Sequence, residues 1–188
     1  MRDVIDHVLL RTGGAAPRHA LVAAIGRTAF DAEVRAAWLV APAPRAYCRP
    51  WDSDQPDVRR RAALVSVGPP AVLSHLTTLE SLGLVAPGSG DPRIHITVPA
   101  TRSLGQASII IVHRTRRLPS TRRVAGLPTV APATAIVSCW PARERDARRD
   151  AALASTGWLT LRFSYARLHS DIDGCRRETL AALARRRP

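Results

Sequence analysis

Lysine is absent from this chain: all 28 basic residues are arginine. Without lysine there is no Schiff-base amine, no P-loop lysine and no acid-x-lysine nuclease triad. Aromatic residues make up only 4%, so any core must be built mainly from Ala, Leu and Val. The three cysteines, Cys48, Cys139 and Cys175, are far apart, odd in number and without C-x-x-C spacing. That pattern argues against a disulfide framework or a cysteine zinc site and points to a reduced, cytoplasmic setting. Arg2, Asp3 and Asp6 crowd the N-terminus where a signal peptide would need an apolar run, so none is expected. The longest uncharged stretch, 124–142, is interrupted by Pro128, Pro132 and Pro141, and no membrane span is expected.

The 188 residues, 46% of them hydrophobic, suit one or two small domains with their own cores. Against 28 arginines stand 15 acids, a formal net charge of +13. The excess is spread, with +3 over 1–50, +5 over 51–141 and +5 over 142–188. Such a balance favours an anionic partner, nucleic acid first, because each arginine near a phosphate backbone releases condensed counterions. A generally basic surface is the alternative reading.

Three segments follow from the pattern. In 1–50, Val4, Ile5, Val8 and Leu9 repeat at helical spacing up to Gly13-Gly14. A second helix starts near Pro17 and runs through Leu21, Val22 and Ile25 to Gly26. A third, capped by Thr28 and Asp31, contains Val34 and ends near Ala37. Residues 38–40 and 46–48 read as two short strands. Three helices and a hairpin describe a winged helix-turn-helix, in which the third helix enters the major groove and the wing lies near the backbone. After a polar linker at 51–56, residues 58–67 read as a helix with Arg59, Arg60 and Arg61 in its first turn. A second helix is predicted over 71–82, closed by Gly83, and strands over 93–98 and 109–113. Beyond 142 comes a charged helix to Thr156, with Glu144–Arg148 and Asp146–Arg149 as intrahelical pairs. An alternating strand through Trp158, Leu161 and Phe163 follows, and then a last helix opened by Asp171, Asp173 or Gly174.

The text GGAAPRHALVAAIG…AWLVAPAPRAYCRP resembles the N-terminal domain of AbiEi-family antitoxin proteins, although Ala37-Trp38 stands where a Gly usually opens the wing. VGPPAVLSHLTTLESLGL, RIHITVP, VHR and GLPTVAPATAIVSCWP resemble the domain that follows it. RDARRDAALASTGWLTLRF resembles the last helix–strand unit of the Vsr-like endonuclease fold, found fused behind such domains. The expected fold is therefore α+β, with three parts. They are a winged helix-turn-helix over 1–50, a small mixed α/β middle domain over 57–141, and a helix–strand–helix remnant of a restriction-endonuclease-like fold over 142–188. The remnant is expected to dock on the middle sheet or to pair with its copy in a homodimer.

The resemblance implies a non-enzymatic DNA-binding regulator of the toxin–antitoxin type, with DNA and a cognate toxin protein as partners. Arg27, Arg35, Arg45 and Arg49 are the expected DNA contacts. No catalytic residue, metal ligand or cofactor is assigned. The nuclease carboxylates that the Vsr-like fold needs on neighbouring strands have no counterpart here. An endonuclease with a degenerate or partner-completed site, and a non-functional deletion product, are the rivals. His75, His95 and His113 invite a metal reading. They lie on separate elements without an acid or cysteine beside them, which favours buried, hydrogen-bonded histidines. Ser74 and His75, as helix neighbours, would point about 100° apart, which argues against a nucleophile–base pair.

Overall fold

Gly13 and Gly14, at φ 72° and 93°, end the first helix, α1 (Arg2–Arg11), and turn the chain into a two-residue strand, β1 (Ala16–Pro17). A Cβ on Gly14 would lie 2.7 Å from Val58 Cγ2, so only glycine fits here. Helices α2 (Arg18–Ile25) and α3 (Arg27–Arg35) follow, then a hairpin of β2 (Val40–Ala43) and β3 (Ala46–Cys48). This is a computed structural model. It describes all residues except 89–90, 104–106, 157–160, 162–164 and 185–188, and no side chain of 140–149, 165–166 or 169.

β1, β3 and β2 form an antiparallel sheet in that order. The sheet and the three helices enclose Ile5, Leu9, Ala16, Leu21, Phe30 and Leu39. Phe30 meets Tyr47 edge-on at 4.9 Å, one of few aromatic contacts in a core that is otherwise aliphatic. The third helix lacks the expected side-chain cap: Gly26 occupies the cap position, and Asp31 instead accepts from Arg18 at 3.2 Å.

Helix α4 (Pro56–Val67) is shared between two cores. Val58, Ala62 and Val65 pack with Ala15, Ala43, Ala46 and Cys48 of the small sheet. Ala63, Leu64 and Val67 pack with Leu73, Ile94, Ile96, Val98 and Leu127 of a larger one. Among its three arginines Arg60 is buried, 2.9 Å from Asp57 and 3.7 Å from Glu80. The helix's last carbonyls are met from outside, where Arg102 donates to Val67 O and to Pro69 O.

The larger sheet comprises β4 (Val72–Leu73), β5 (Ile94–Pro99), β6 (Ile110–Thr115), β7 (Thr121–Val124) and β8 (Leu127–Val130), in the order β6-β5-β4-β8-β7. It is mixed: β5–β6 and β4–β8 are parallel, β4–β5 and β7–β8 antiparallel. The expected helix over 71–82 is replaced by β4 and a shorter α5 (His75–Ser81). Ser74 at φ −148°, ψ 178° is extended and His75 at φ 51° is left-handed. A helix cannot pass through either residue.

Helix α6 (Pro132–Ser155) runs through the 141/142 boundary drawn from sequence and packs on α5, with Val72, Leu79, Val130 and Ala135 between. The Glu144–Arg148 and Asp146–Arg149 pairs involve side chains outside the described ones. Of the strand expected from Trp158 to Phe163, all but Leu161 lies outside the described residues. Helices α7 (Tyr165–Ser170) and α8 (Ile172–Ala184) close the chain, joined by an Arg167–Glu178 ion pair. Asp171 caps α8 as expected, its Oδ1 accepting from Gly174 N at 2.9 Å. The molecule is thus α+β, and among the described residues no helix is long and apolar enough to cross a membrane.

Candidate functional site

The four arginines expected at a DNA surface have different surroundings. Arg27 opens α3, its side chain 79% exposed and 3.8 Å from Asp31. Arg35 ends the same helix, also exposed, with Nε donating to Asp31 O at 3.3 Å. Thr28 and Ala32 between them are exposed, while Phe30 and Glu33 point inward. Arg45 stands at the tip of the β2–β3 turn, exposed and at φ 63°, with no ion pair among the described residues. Its backbone carbonyl accepts from Arg18 N at 3.1 Å, which sets the tip beside the start of α2.

Arg49 is placed otherwise. Its side chain is 22% exposed and ion-paired with Asp6 of α1, and its guanidinium lies 5.2 Å from the Trp51 ring. Trp51 in turn packs edge-on against Trp38, over which Arg2 sits at 4.1 Å. Arg49 therefore ties the hairpin's exit to α1, a task its position just after the second wing strand does not announce.

A second cluster forms on the face of the large sheet that α5 covers. Strand alternation sends Ile94, Ile96 and Val98 toward α4 and leaves His95 and Thr97 on the other side. In the parallel β5–β6 pair, Thr97 is opposite His113 and His95 opposite Ile111, so His95 and His113 are diagonal neighbours on one face. The left-handed backbone of His75, which costs about 1–2 kcal/mol in a non-glycine residue, turns its ring onto that of His113. The two rings stack at 3.6 Å and 16°. His95 lies nearly parallel to both, 5.2 Å from His113 and 5.4 Å from His75.

Small polar residues bond the His75 ring and the backbone of His95. His75 Nδ1 is 3.0 Å from Ser74 Oγ, although the expected helical offset would hold the two side chains apart. The helical 100° offset does not apply because the helix starts only at His75 and Ser74 precedes it in extended form. Ser74 is 1% exposed, so the pair offers no accessible nucleophile. Thr77 Oγ1 accepts from His95 N at 2.9 Å and Ser74 N donates to His95 O at 3.0 Å. His95 Nδ1 and His113 Nε2 face each other at 3.0 Å. His95 Nε2 is buried and has no hydrogen-bond partner among the described residues.

Burial lowers the basicity of all three, and the neighbouring imidazoles add to it for two. His75 and His113 are pushed down to about 4, first by desolvation and then by the adjacent histidines. Burial lowers His95 too, opposed by Asp91. Near neutral pH the cluster is uncharged. The sequence names the three histidines but does not join them, because separations of 20 and 18 residues carry no ligand signature; only the β5–β6 register and the start of α5 bring the rings together.

Against protein-family models the chain matches none, and no curated protein matches it.

Proposed function

We propose that the chain is a non-enzymatic DNA-binding regulator of the AbiEi-like antitoxin type, which holds DNA through an N-terminal winged helix-turn-helix. The observation that carries this reading is the element order α1-β1-α2-α3-β2-β3 with the sheet ordered β1-β3-β2. In a winged helix the third helix is the reading helix and the β2–β3 turn is the wing. Exposed arginines at both ends of α3 and at the wing tip support it, since those are the places from which a guanidinium reaches phosphate. Arg27, Arg35 and Arg45 are the contacts in this reading, and Arg49 holds the wing to α1. A cognate toxin protein as second partner, a homodimer and a cytoplasmic setting belong to the same proposal. The endonuclease rival has less support: among the described residues no strand carries a carboxylate.

The test is a salt titration of binding to duplex DNA, including the DNA upstream of the protein's own coding sequence. Arg45→Ala is expected to weaken binding and to lessen the slope of log K against log salt by about 0.9, the value of one phosphate contact. Arg49→Ala is expected to lower the unfolding midpoint and leave the slope of the folded protein unchanged. An unchanged slope for Arg45→Ala and for Arg27→Ala would remove the wing and the third helix from the DNA surface.

A further inference from the structure

The polar face between α5 and the β5–β6 pair is not used by a DNA-binding reading. Each of its three histidines offers one ring nitrogen, and these three atoms lie within 4.8 Å of one another. A tetrahedral zinc ion with nitrogens at 2.0–2.1 Å holds them roughly 3.3 Å apart. The closest pair here, His95 Nδ1 and His113 Nε2, is already at 3.0 Å. Closing the rest requires the His75 and His113 rings, stacked at 3.6 Å and 16°, to rotate until their in-plane lone pairs converge on one ion.

We propose that His75, His95 and His113 bind one divalent transition-metal ion of the zinc class, tying the start of α5 to β5 and β6.

Three features point the same way. Two imidazole nitrogens facing each other at 3.0 Å share one proton in the metal-free state; a cation that accepts both lone pairs takes its place, the proton moving to the other nitrogen of the ring that carried it. Ser74 Oγ at His75 Nδ1 occupies one nitrogen and leaves Nε2 to ligate, the outer-partner arrangement that orients metal-binding histidines. The strained backbone of His75 is the kind of local cost that persists at sites which use it. Three neutral imidazoles match borderline metals such as Zn²⁺, Co²⁺, Ni²⁺ or Cu²⁺ rather than Mg²⁺ or Ca²⁺, which require oxygen ligands. Three protein ligands also leave a fourth position for water or for a partner's side chain.

The experiment uses the untagged full chain, stripped with chelator and titrated with Zn²⁺ near neutral pH. One ion per chain is expected, together with a rise in the unfolding midpoint. Co²⁺ in its place should give the visible absorption of a four- or five-coordinate nitrogen site. His113→Ala and His95→Gln should each weaken zinc binding by at least about a hundredfold, since losing even an outer partner costs 10–100-fold. His7→Ala with His19→Ala, both exposed and outside the cluster, should change nothing. Should a cluster variant fail to fold, X-ray absorption of the zinc-loaded wild type decides the matter. Three imidazoles around the ion support the site, and fewer than three overturn it. Absence of stoichiometric uptake by the wild type, or equal affinity in folded His113→Ala, overturns it as well. None of these results depends on whether the protein binds DNA.

Discussion

At the β5–β6 end of the five-stranded sheet the two faces are filled by opposite means. Toward α4 stand Leu73, Ile94, Ile96, Val98 and Leu127, closed by Ala63, Leu64 and Val67. Toward α5, at the β5–β6 end, stand His95, Thr97 and His113, closed by Ser74, His75 and Thr77. On β5 the two sets alternate, one residue apart. An aliphatic face gains free energy from every methylene removed from water. A buried polar face gains little from burial and must satisfy each donor and acceptor to break even. The molecule thus concentrates stability on one side of β5 and chemical potential on the other.

The largest expected effect lies on the aliphatic side. Ile96 is fully buried, and Ile96→Ala should cost about 2–5 kcal/mol in denaturant unfolding. Thr97→Val, one residue along and on the polar face, should cost less than about 1.5 kcal/mol. Equal losses at the two positions would break the comparison. Next comes the ion pair that passes beside α4. Glu80 faces buried Arg60 at 3.7 Å and its Oε1 accepts from Gly88 N at 3.0 Å. Breaking a buried pair costs about 3–5 kcal/mol. Because Asp57 also holds Arg60, Glu80→Ala should fall below that range, near ~2 kcal/mol, in the same assay.

The last effect, confined to alkaline pH, is expected on the far side of α4, where the apolar layer continues to Cys48. Its thiol is fully buried and pushed up to about 11 from 9.0, first by desolvation and then by Asp52 and Asp54. A group whose folded pKa is raised contributes stability that is complete below its unfolded pKa and lost as pH rises through the folded one. Stability should therefore decline between pH 9 and about 11. With no lysine to titrate in that range, the decline should shrink in Cys48→Ala, as measured by unfolding midpoints across the window.

How far this arrangement can be read from sequence depends on whether a feature is local. The helices of the N-terminal unit follow from apolar spacing and glycine stops, and α4 from its Ala- and Val-rich run. β5 follows from Ile94-x-Ile96-x-Val98. β4 was absorbed into a helix because two residues show no alternation. The β7–β8 hairpin was hidden by its turn: Ala125 and Gly126 both have positive φ, a geometry usually signalled by Asn-Gly or Asp-Gly. Pro128, Arg122 and Arg123 also make poor strand signals. β1 is two residues long and exists only because β3 offers it an edge. The four candidate DNA contacts were legible as arginines, but the Asp6 partner that takes Arg49 comes from 43 positions away. The histidine cluster is the extreme case, since its members lie 20 and 18 residues apart on three separate elements.

The central contrast is tested most directly by unfolding three proteins, wild type, Ile96→Ala and His113→Ala, each in chelator and in excess zinc. In chelator, His113→Ala should stay within about 1.5 kcal/mol of wild type, while Ile96→Ala falls by about 2–5 kcal/mol. Zinc at a hundred times its dissociation constant should then stabilise wild type by about 2.7 kcal/mol and leave His113→Ala unmoved. If His113→Ala is as unstable as Ile96→Ala in chelator, and zinc moves none of the three, the polar face is only another part of the core.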